Sequence, residues 1–407
     1  MSLQSEMEEM RRLMTELQTS VQGERIHDLR QRLEGLERLM RKTTLREYIE
    51  ACHSQMFLQF QIEPLSVLRA KGLMTSTTDK VCPEKLEPWA GFTDQLRVHF
   101  DELFDGFPTE DRLFPALQVI SGIGEEIEAI ANENMLQSFI QTAVRKPVQR
   151  ILGHIQNSEH FQTKYSLGSP ICFIDYMSSL FLTDPPATTP NQLSGLKFKP
   201  DKFCIFRPSS EGVNTSSNPR IMVEEAKAPH KLTTDQLRAG LRTTRSIYEE
   251  VVQRRTIPTK EDPEALFEYN SEKVTAAAII QTYNYMIKGG VDYGILTNGE
   301  AMVFLMLKAD DPSTLLYHLS EPKREIAAGQ DVIAFSAVGQ CLSFIMMILS
   351  QRNDRQQLSK DTRRQVVERL NKCATNFEMT SESIPESDRS SPSGDSISGS
   401  LFRGQLP

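Results

Sequence analysis

The sequence predicts an α/β fold with a mixed sheet, preceded by an N-terminal helical coiled coil. Three observations carry that expectation. Met7, Met10, Met14, Leu17 and Val21 repeat at spacings of 3, 4, 3 and 4, the a/d seam of a helix that buries one narrow stripe. Downstream, helix-length and strand-length apolar runs alternate in the order α-β-β-β-α-β-β. Thr297-Asn298-Gly299-Glu300 separates two apolar runs, and Asn-Gly in that position is a strong hairpin signal.

The 407 residues allow two or three domains, and 39% hydrophobic content supports one sizeable core with non-globular ends. A formal net charge of −8 excludes a bulk-cationic nucleic-acid binder. Any polyanion partner therefore needs a local basic surface or metal ions. Cys52, Cys82, Cys172, Cys204, Cys341 and Cys373 form no CxxC pair and no zinc-finger spacing, which fits buried thiols in a reducing compartment. The N-terminus is charged from Glu6 onward, and the longest apolar stretch, Phe344 to Leu349, is too short to span a bilayer. The expectation is an intracellular protein, nuclear or cytoplasmic, with no membrane partner.

Residues 1–42 are the predicted coiled coil. The seam breaks at Gln22-Gly23 and resumes with Ile26, Leu29, Leu33, Leu36 and Met40. Either two chains zip together across a stutter, giving a homo-oligomer, or the halves fold back at Gly23, or one helix lies on its own domain. Residues 43–120 read as a helical connecting region, with amphipathic stretches around Leu45 to Met56 and Leu96 to Leu103. Residues 121–350 form the globular unit. A helix is predicted from about Glu125 to Ile155, kinked or split at Pro147, which lacks an N–H. Strand-like runs follow at Ile171–Ile174, Phe203–Phe206 and Ile221–Val223, the last two joined by a turn-rich loop from Pro208 to Pro219. Helices from about Thr234 and from about Glu272 to Ile287 come next, the second capped by Gly289-Gly290. Strands Tyr293–Leu296 and Met302–Leu307 close the unit. Residues 351–375 read as a basic helix. Residues 376–407 are a Ser-rich tail with too little apolar content to offset the entropy of ordering.

The chemistry concentrates at Pro200-Asp201 and Glu225-Ala226-Lys227. If their strands pair antiparallel, Asp201 approaches Glu225 across the ladder, while Glu225 and Lys227 share one face. Two carboxylates and the Ala226 carbonyl suit a hard divalent cation such as Mg²⁺ or Mn²⁺. The ion would neutralise charge on a scissile phosphate, and Lys227 would orient the attacking water. ExK alone is weak, for it recurs at Glu321-Pro322-Lys323, and a plain surface ion pair is the competing explanation. Gln281 and Tyr285 add a QxxxY pair on one face of the following helix.

Lys199-Pro200-Asp201, Glu225-Ala226-Lys227 and Gln281-xxx-Tyr285 together resemble the PD-(D/E)XK nuclease superfamily, in its RecB-like QxxxY branch. The text around them further resembles fungal proteins in which a coiled coil precedes this nuclease, including the nuclease part of spore-killer toxin–antidote proteins. The resemblance implies a restriction-endonuclease-like αβββαβ core, Mg²⁺ dependence, cleavage of nucleic acid, above all DNA, and a toxin-like or mobile-element-associated role. It covers roughly residues 120–350. The family's first helix often supplies a further acid, for which Glu133 is the candidate here. Arg145-Lys146-Pro147 stands later in that helix where an acid before Pro is plausible. No kinase signature follows, so no kinase-borne antidote activity is expected.

His230 and Lys231, just after the ExK strand, and Arg238, Arg242 and Arg245, at i, i+4 and i+7, are candidate nucleic-acid contacts. A structural loop histidine and a solvated charged face are the competing explanations. Three functions follow: a metal-dependent nuclease, a catalytically inactive nucleic-acid- or protein-binding module on the same fold, or a coiled-coil scaffold with a rigid head.

Overall fold

The computed structural model describes residues 3–17, 23–71, 77–107, 110–165, 170–174, 201–206, 220–242, 246–254, 256–351, 365 and 368–373. Lys199-Pro200, the loop from Pro208 to Pro219, Arg245, most of 351–375 and all of 376–407 lie outside them.

The N-terminal seam forms α1 (Leu3–Leu17) and α2 (Gly23–Met40), which pack against each other within one chain. Met7, Met10 and Leu29 are buried, and Arg11–Glu37 (2.7 Å) and Arg32–Glu6 (3.8 Å) pair across them. Next come β1 (Lys42–Thr43), α3 (Leu45–Ala51), β2 (Lys85–Pro88), α4 (Phe92–Gly106), β3 (Phe114–Ala116) and α5 (Leu117–Glu125). α6 (Glu133–Ile140), α7 (Lys146–Ile155) and α8 (Glu159–Tyr165) lead into β4 (Ile171–Ile174), β5 (Lys202–Phe206) and β6 (Arg220–Ala226). α9 (Thr234–Gly240) and α10 (Pro263–Gly289) precede β7 (Tyr293–Thr297), β8 (Met302–Leu307) and β9 (Thr314–Ser320). α11 (Pro322–Ala327), α12 (Val332–Phe335) and α13 (Ala337–Gln351) follow.

Seven strands make one mixed sheet in the order β2-β9-β8-β7-β6-β5-β4. β6–β7 and β2–β9 are parallel, and the other pairs are antiparallel. Side chains alternate between two cores, as strand geometry requires. Cys204, Met222, Ala226, Ile295 and Phe304 face a core shared with α3, α4, α6, α7 and α13. Phe203, Ile205, Val223, Leu296, Val303 and Leu305 face the other, shared with α9 and α10. α3 and α4, from the expected connecting region, thus belong to the same core as the sheet, and β2 forms its edge.

The expected helix from Glu125 to Ile155 is corrected. α5 ends at Glu125 and a turn follows; Ile130 then bridges Ile62, its N–H donating to the Gln61 carbonyl at 2.8 Å. Asn132 then starts α6 afresh, its side chain accepting from Met135 N–H at 2.9 Å and setting Glu133 in the first turn. Before Pro147, which has no N–H to donate, the helix widens by a π turn, Gln141–Arg145, and continues as α7. The ordering also missed β9 and β2. β2 ends in Pro83- and Pro88-flanked sequence that reads as a breaker, yet proline is tolerated on a sheet edge. The β7–β8 hairpin forms at the predicted turn, with Gly299 at φ +92°. α10 starts at Pro263, earlier than the apolar period indicates, and ends at Gly290 in the left-handed region.

Candidate metal centre

The antiparallel pairing of β5 and β6 sets Lys202 opposite Glu224, and so brings Asp201, one residue before the strand, beside Glu225. The contact is reciprocal. Ala226 N–H donates to Asp201 Oδ2 at 2.8 Å, and Asp201 N–H donates to Glu225 Oε2 at 3.4 Å. Glu133 reaches the same point from the first turn of α6. Carboxylate oxygens of Glu133, Asp201 and Glu225 all lie within 4.8 Å of one another.

Lys227 Nζ donates to Glu225 Oε1 at 2.6 Å, and both side chains are buried. Gln281 Nε2 donates to the same oxygen at 2.6 Å and lies 3.2 Å from the Tyr285 hydroxyl. This is possible because α10 is buried at every residue from Val274 to Ile287. Its small Ala276-Ala277-Ala278 run lets the helix lie close on the sheet, and its polar members must find partners there.

Burial, then the neighbouring Glu225 charge, pushes the Asp201 carboxyl up to about 7, against the pull of Lys227 and Ala226 N–H. Burial also raises Glu225, although Lys227 opposes it. Burial disfavours the Lys227 ammonium, but Glu225, Glu133 and Asp201 outweigh that and raise its pKa. Burial pushes the Tyr285 phenol up to about 12. The site is therefore short of positive charge. One ammonium faces three carboxylates, and oxygen donors crowded in this way fit a hard divalent cation held by Glu133, Asp201 and Glu225. Ala226, next to Glu225 on β6 and in register with Thr297, adds its N–H to Asp201.

Glu133, Asp201, Glu225, Lys227, Gln281 and Tyr285 are brought together by their side chains, with the Ala226 backbone beside Asp201. The described nucleic-acid candidates have other partners, and Arg245 lies outside the described residues. His230 is buried in its loop, with Nε2 3.3 Å from the Ala70 carbonyl, and Lys231 beside it is half-buried. Arg238 makes two bonds to Glu321 (2.7 and 2.6 Å) and one to Asp235 (2.6 Å). Arg242 pairs with Glu268. What sequence reasoning missed is the job of Glu224. It points to the opposite face, where it pairs with Arg145, itself fully buried and also bonded to Gln137 Oε1 at 2.6 Å. The signal was present in Glu224-Glu225, since adjacent strand residues face opposite sides, and in Arg145, two residues before Pro147.

The family described as the Spore killer 2 N-terminal domain matches residues 44–184 and 176–366. The chain belongs to that family. All six clustered site residues fall inside the spore killer 2 match, whereas α1 and α2 precede it. Meiotic driver SPOK2 of Podospora anserina is 24% identical over 338 residues, 77% of this chain and 43% of that relative. The chain thus spans less than half the length of this curated spore-killer relative. No solved structure matches. Among the described residues no helix is long and apolar enough to cross a membrane.

Proposed function

We propose that the domain is a divalent-metal-dependent nuclease of PD-(D/E)XK type that hydrolyses phosphodiester bonds of DNA. The observation that carries this is the convergence of Glu133, Asp201, Glu225 and Lys227 on one point, with Gln281 on the shared Glu225 oxygen. The order α6–α7, β4, β5, β6, α10, β7, with β7 parallel to β6, supports an αβββαβ core.

In this reading Glu133, Asp201 and Glu225 hold Mg²⁺ or Mn²⁺, which supplies Lewis-acid neutralisation of phosphate charge. Lys227 stays protonated and stabilises the negative charge that grows on the phosphoryl oxygens in the transition state. Gln281 fixes the orientation of Glu225, and Tyr285 backs Gln281. Because the relative is named a meiotic driver, we extend the proposal to a toxin-like role.

The test is cleavage of plasmid and labelled oligonucleotides by the full chain with Mg²⁺ or Mn²⁺. Lys227→Met should lower the rate by roughly 10²–10³ while leaving binding largely intact. Asp201→Asn should weaken divalent-ion binding by calorimetry. Cleavage that survives both substitutions overturns the reading. Binding without cleavage of any substrate makes the domain a catalytically inactive binding module instead. Growth arrest on expression, lost with Lys227→Met, is the outcome expected of a toxin.

A further inference from the structure

An acidic site in a chain of net charge −8 gains little from long-range attraction of a polyanion. Arg238 and Arg242 do not change that, because Glu321, Asp235 and Glu268 already hold their guanidinium groups. Grip on a nucleic acid must then come in part from contacts that are not ionic, and the rim of the centre offers one.

Leu65, Val67 and Leu68 are 58%, 74% and 59% exposed, large apolar side chains crowded into one short loop. The loop is firmly held. Arg69 Nε donates to the Glu63 carbonyl at 2.5 Å and Arg69 Nη2 to the Pro64 carbonyl at 3.3 Å, closing the loop across its neck. Within it, Leu65 N–H donates to Glu63 Oε1 at 3.0 Å and Leu68 N–H to the Leu65 carbonyl at 3.0 Å. A loop fixed with apolar groups outward is already shaped for a partner, because little ordering remains to be done on contact.

Its anchors are the parts of the chain that build the centre. Glu63 N–H donates to the Ile130 carbonyl at 3.1 Å, and Ala70 N–H to the Ala131 carbonyl at 2.8 Å, two residues before Glu133. From the other side His230 Nε2, three residues beyond Lys227, lies 3.3 Å from the Ala70 carbonyl. The surface between loop and centre is accessible: Ala70 is exposed, and Ala131, Asn132, Glu133 and Asp201 are half-buried. Two chain steps part Leu68 from Ala70, and two part Ala131 from Glu133. At about 3.8 Å per step, Leu68 stands within about 20 Å of Glu133. That is the rise of about six base pairs.

We infer that Leu65, Val67 and Leu68 form an apolar wedge that packs between bases of a DNA duplex lying across the carboxylate centre and unstacks one step of it. Apolar side chains of this size act in this way where a protein kinks a duplex. The wedge's place beside a cleavage site rests on the nuclease reading, but its action is measurable without cleavage. The experiment is fluorescence anisotropy of the full chain with a short labelled duplex, in EDTA, over a salt series. It is paired with the emission of 2-aminopurine set within the same duplex, which rises on unstacking. Leu65→Ser with Val67→Ser and Leu68→Ser alters only exposed side chains, and thermal melting checks that the fold persists. The triple variant should bind at least about fivefold more weakly. Its slope of log affinity against log salt should stay as in wild type, because an apolar contact releases no counterions. The rise in 2-aminopurine emission should vanish. Leu65→Met with Leu68→Met should keep both binding and emission. Undiminished binding by the triple variant overturns the wedge, and so does weaker binding with a shallower salt slope. Wild-type protein that binds the duplex without a rise in emission, or binds no duplex, overturns it too. A triple variant of lower particle mass and full affinity assigns the patch to contact between copies of the chain instead. Wedge-dependent binding with no cleavage in Mg²⁺ upholds the wedge while sinking the nuclease reading. Cleavage by the triple variant at the wild-type rate does the reverse.

Discussion

Gln281 donates from Nε2 to Oε1 of Glu225 at 2.6 Å, joining α10 to the end of β6 inside the protein. The same carboxylate oxygen accepts from Lys227, so one atom collects two donors while its neighbours Asp201 and Glu133 crowd the other side. Gln281→Ala leaves room where the amide was and takes one donor from a buried carboxylate. Loss of about 1–2 kcal/mol in urea denaturation is expected. A fall in single-turnover cleavage is expected with it, since Glu225 Oε1 is then held by Lys227 alone. Unchanged stability and rate would show that the bond does not orient Glu225.

The raised Asp201 pKa fixes the sign of a pH effect on the metal-free protein. Folding opposes ionisation of this carboxyl, so the penalty is absent below about pH 4, grows as pH rises, and is complete above about pH 7. Asp201→Asn removes it while keeping an oxygen for Ala226 N–H. In EDTA the variant should exceed wild type by on the order of 2 kcal/mol near pH 8 and by little near pH 4. Mg²⁺ should narrow the gap by stabilising wild type more. A gap that widens toward acid would contradict the assignment.

Arg145 and Glu224 form the buried pair on the opposite face of β6. Removing one member strands the other charge, so Arg145→Met or Glu224→Leu should each cost about 3–5 kcal/mol. The double substitution should recover most of it. Equilibrium denaturation of all three variants reads the coupling, and additive losses would refute the pairing.

Gly240 at the end of α9 lies against α10, where an added Cβ would meet Thr275 Oγ1 at 2.5 Å and Thr275 Cβ at 2.6 Å. Gly240→Ala should therefore destabilise by about 1–3 kcal/mol by overpacking. Gly240→Ala with Thr275→Ala, which removes the Oγ1 that the new Cβ would meet, should recover part of that. A Gly240→Ala protein that melts as wild type would mean α9 does not seat this closely.

Self-association through residues 1–42 remains an expectation of the heptad seam. Leu13 and Leu39, which lie off that seam, stay exposed at 36% and 41% on the paired helices and are what a second copy would cover. Light scattering should give a larger particle mass, in units of the chain, for the full protein than for one starting at Thr43. Equal monomeric masses would mean that the pairing of α1 with α2 within one chain is the whole use of the seam.

The local signals in the sequence were sufficient for the elements whose cause is local. Strand β4, the β7–β8 turn at Asn298-Gly299 and the glycine stop after α10 follow from side-chain period and backbone preference alone. Alternation along β6 also placed Glu225 and Lys227 on one face before any tertiary contact was known. What only the tertiary structure decided involves partners far apart in the chain. The Asn132 cap and the backbone bonds of Ile130 and Ala131 to the chain at 61–70 cut a helix that periodicity had made continuous. Glu321 and Glu268 claimed the arginines that spacing offered to a nucleic acid. Arg145 went to Glu224, and Lys80 came to rest over Tyr285. Periodicity records which face of an element is buried, because burial acts on each residue separately. The choice of ion-pair partner depends on which surfaces meet when the chain closes, and spacing along one element carries no record of that.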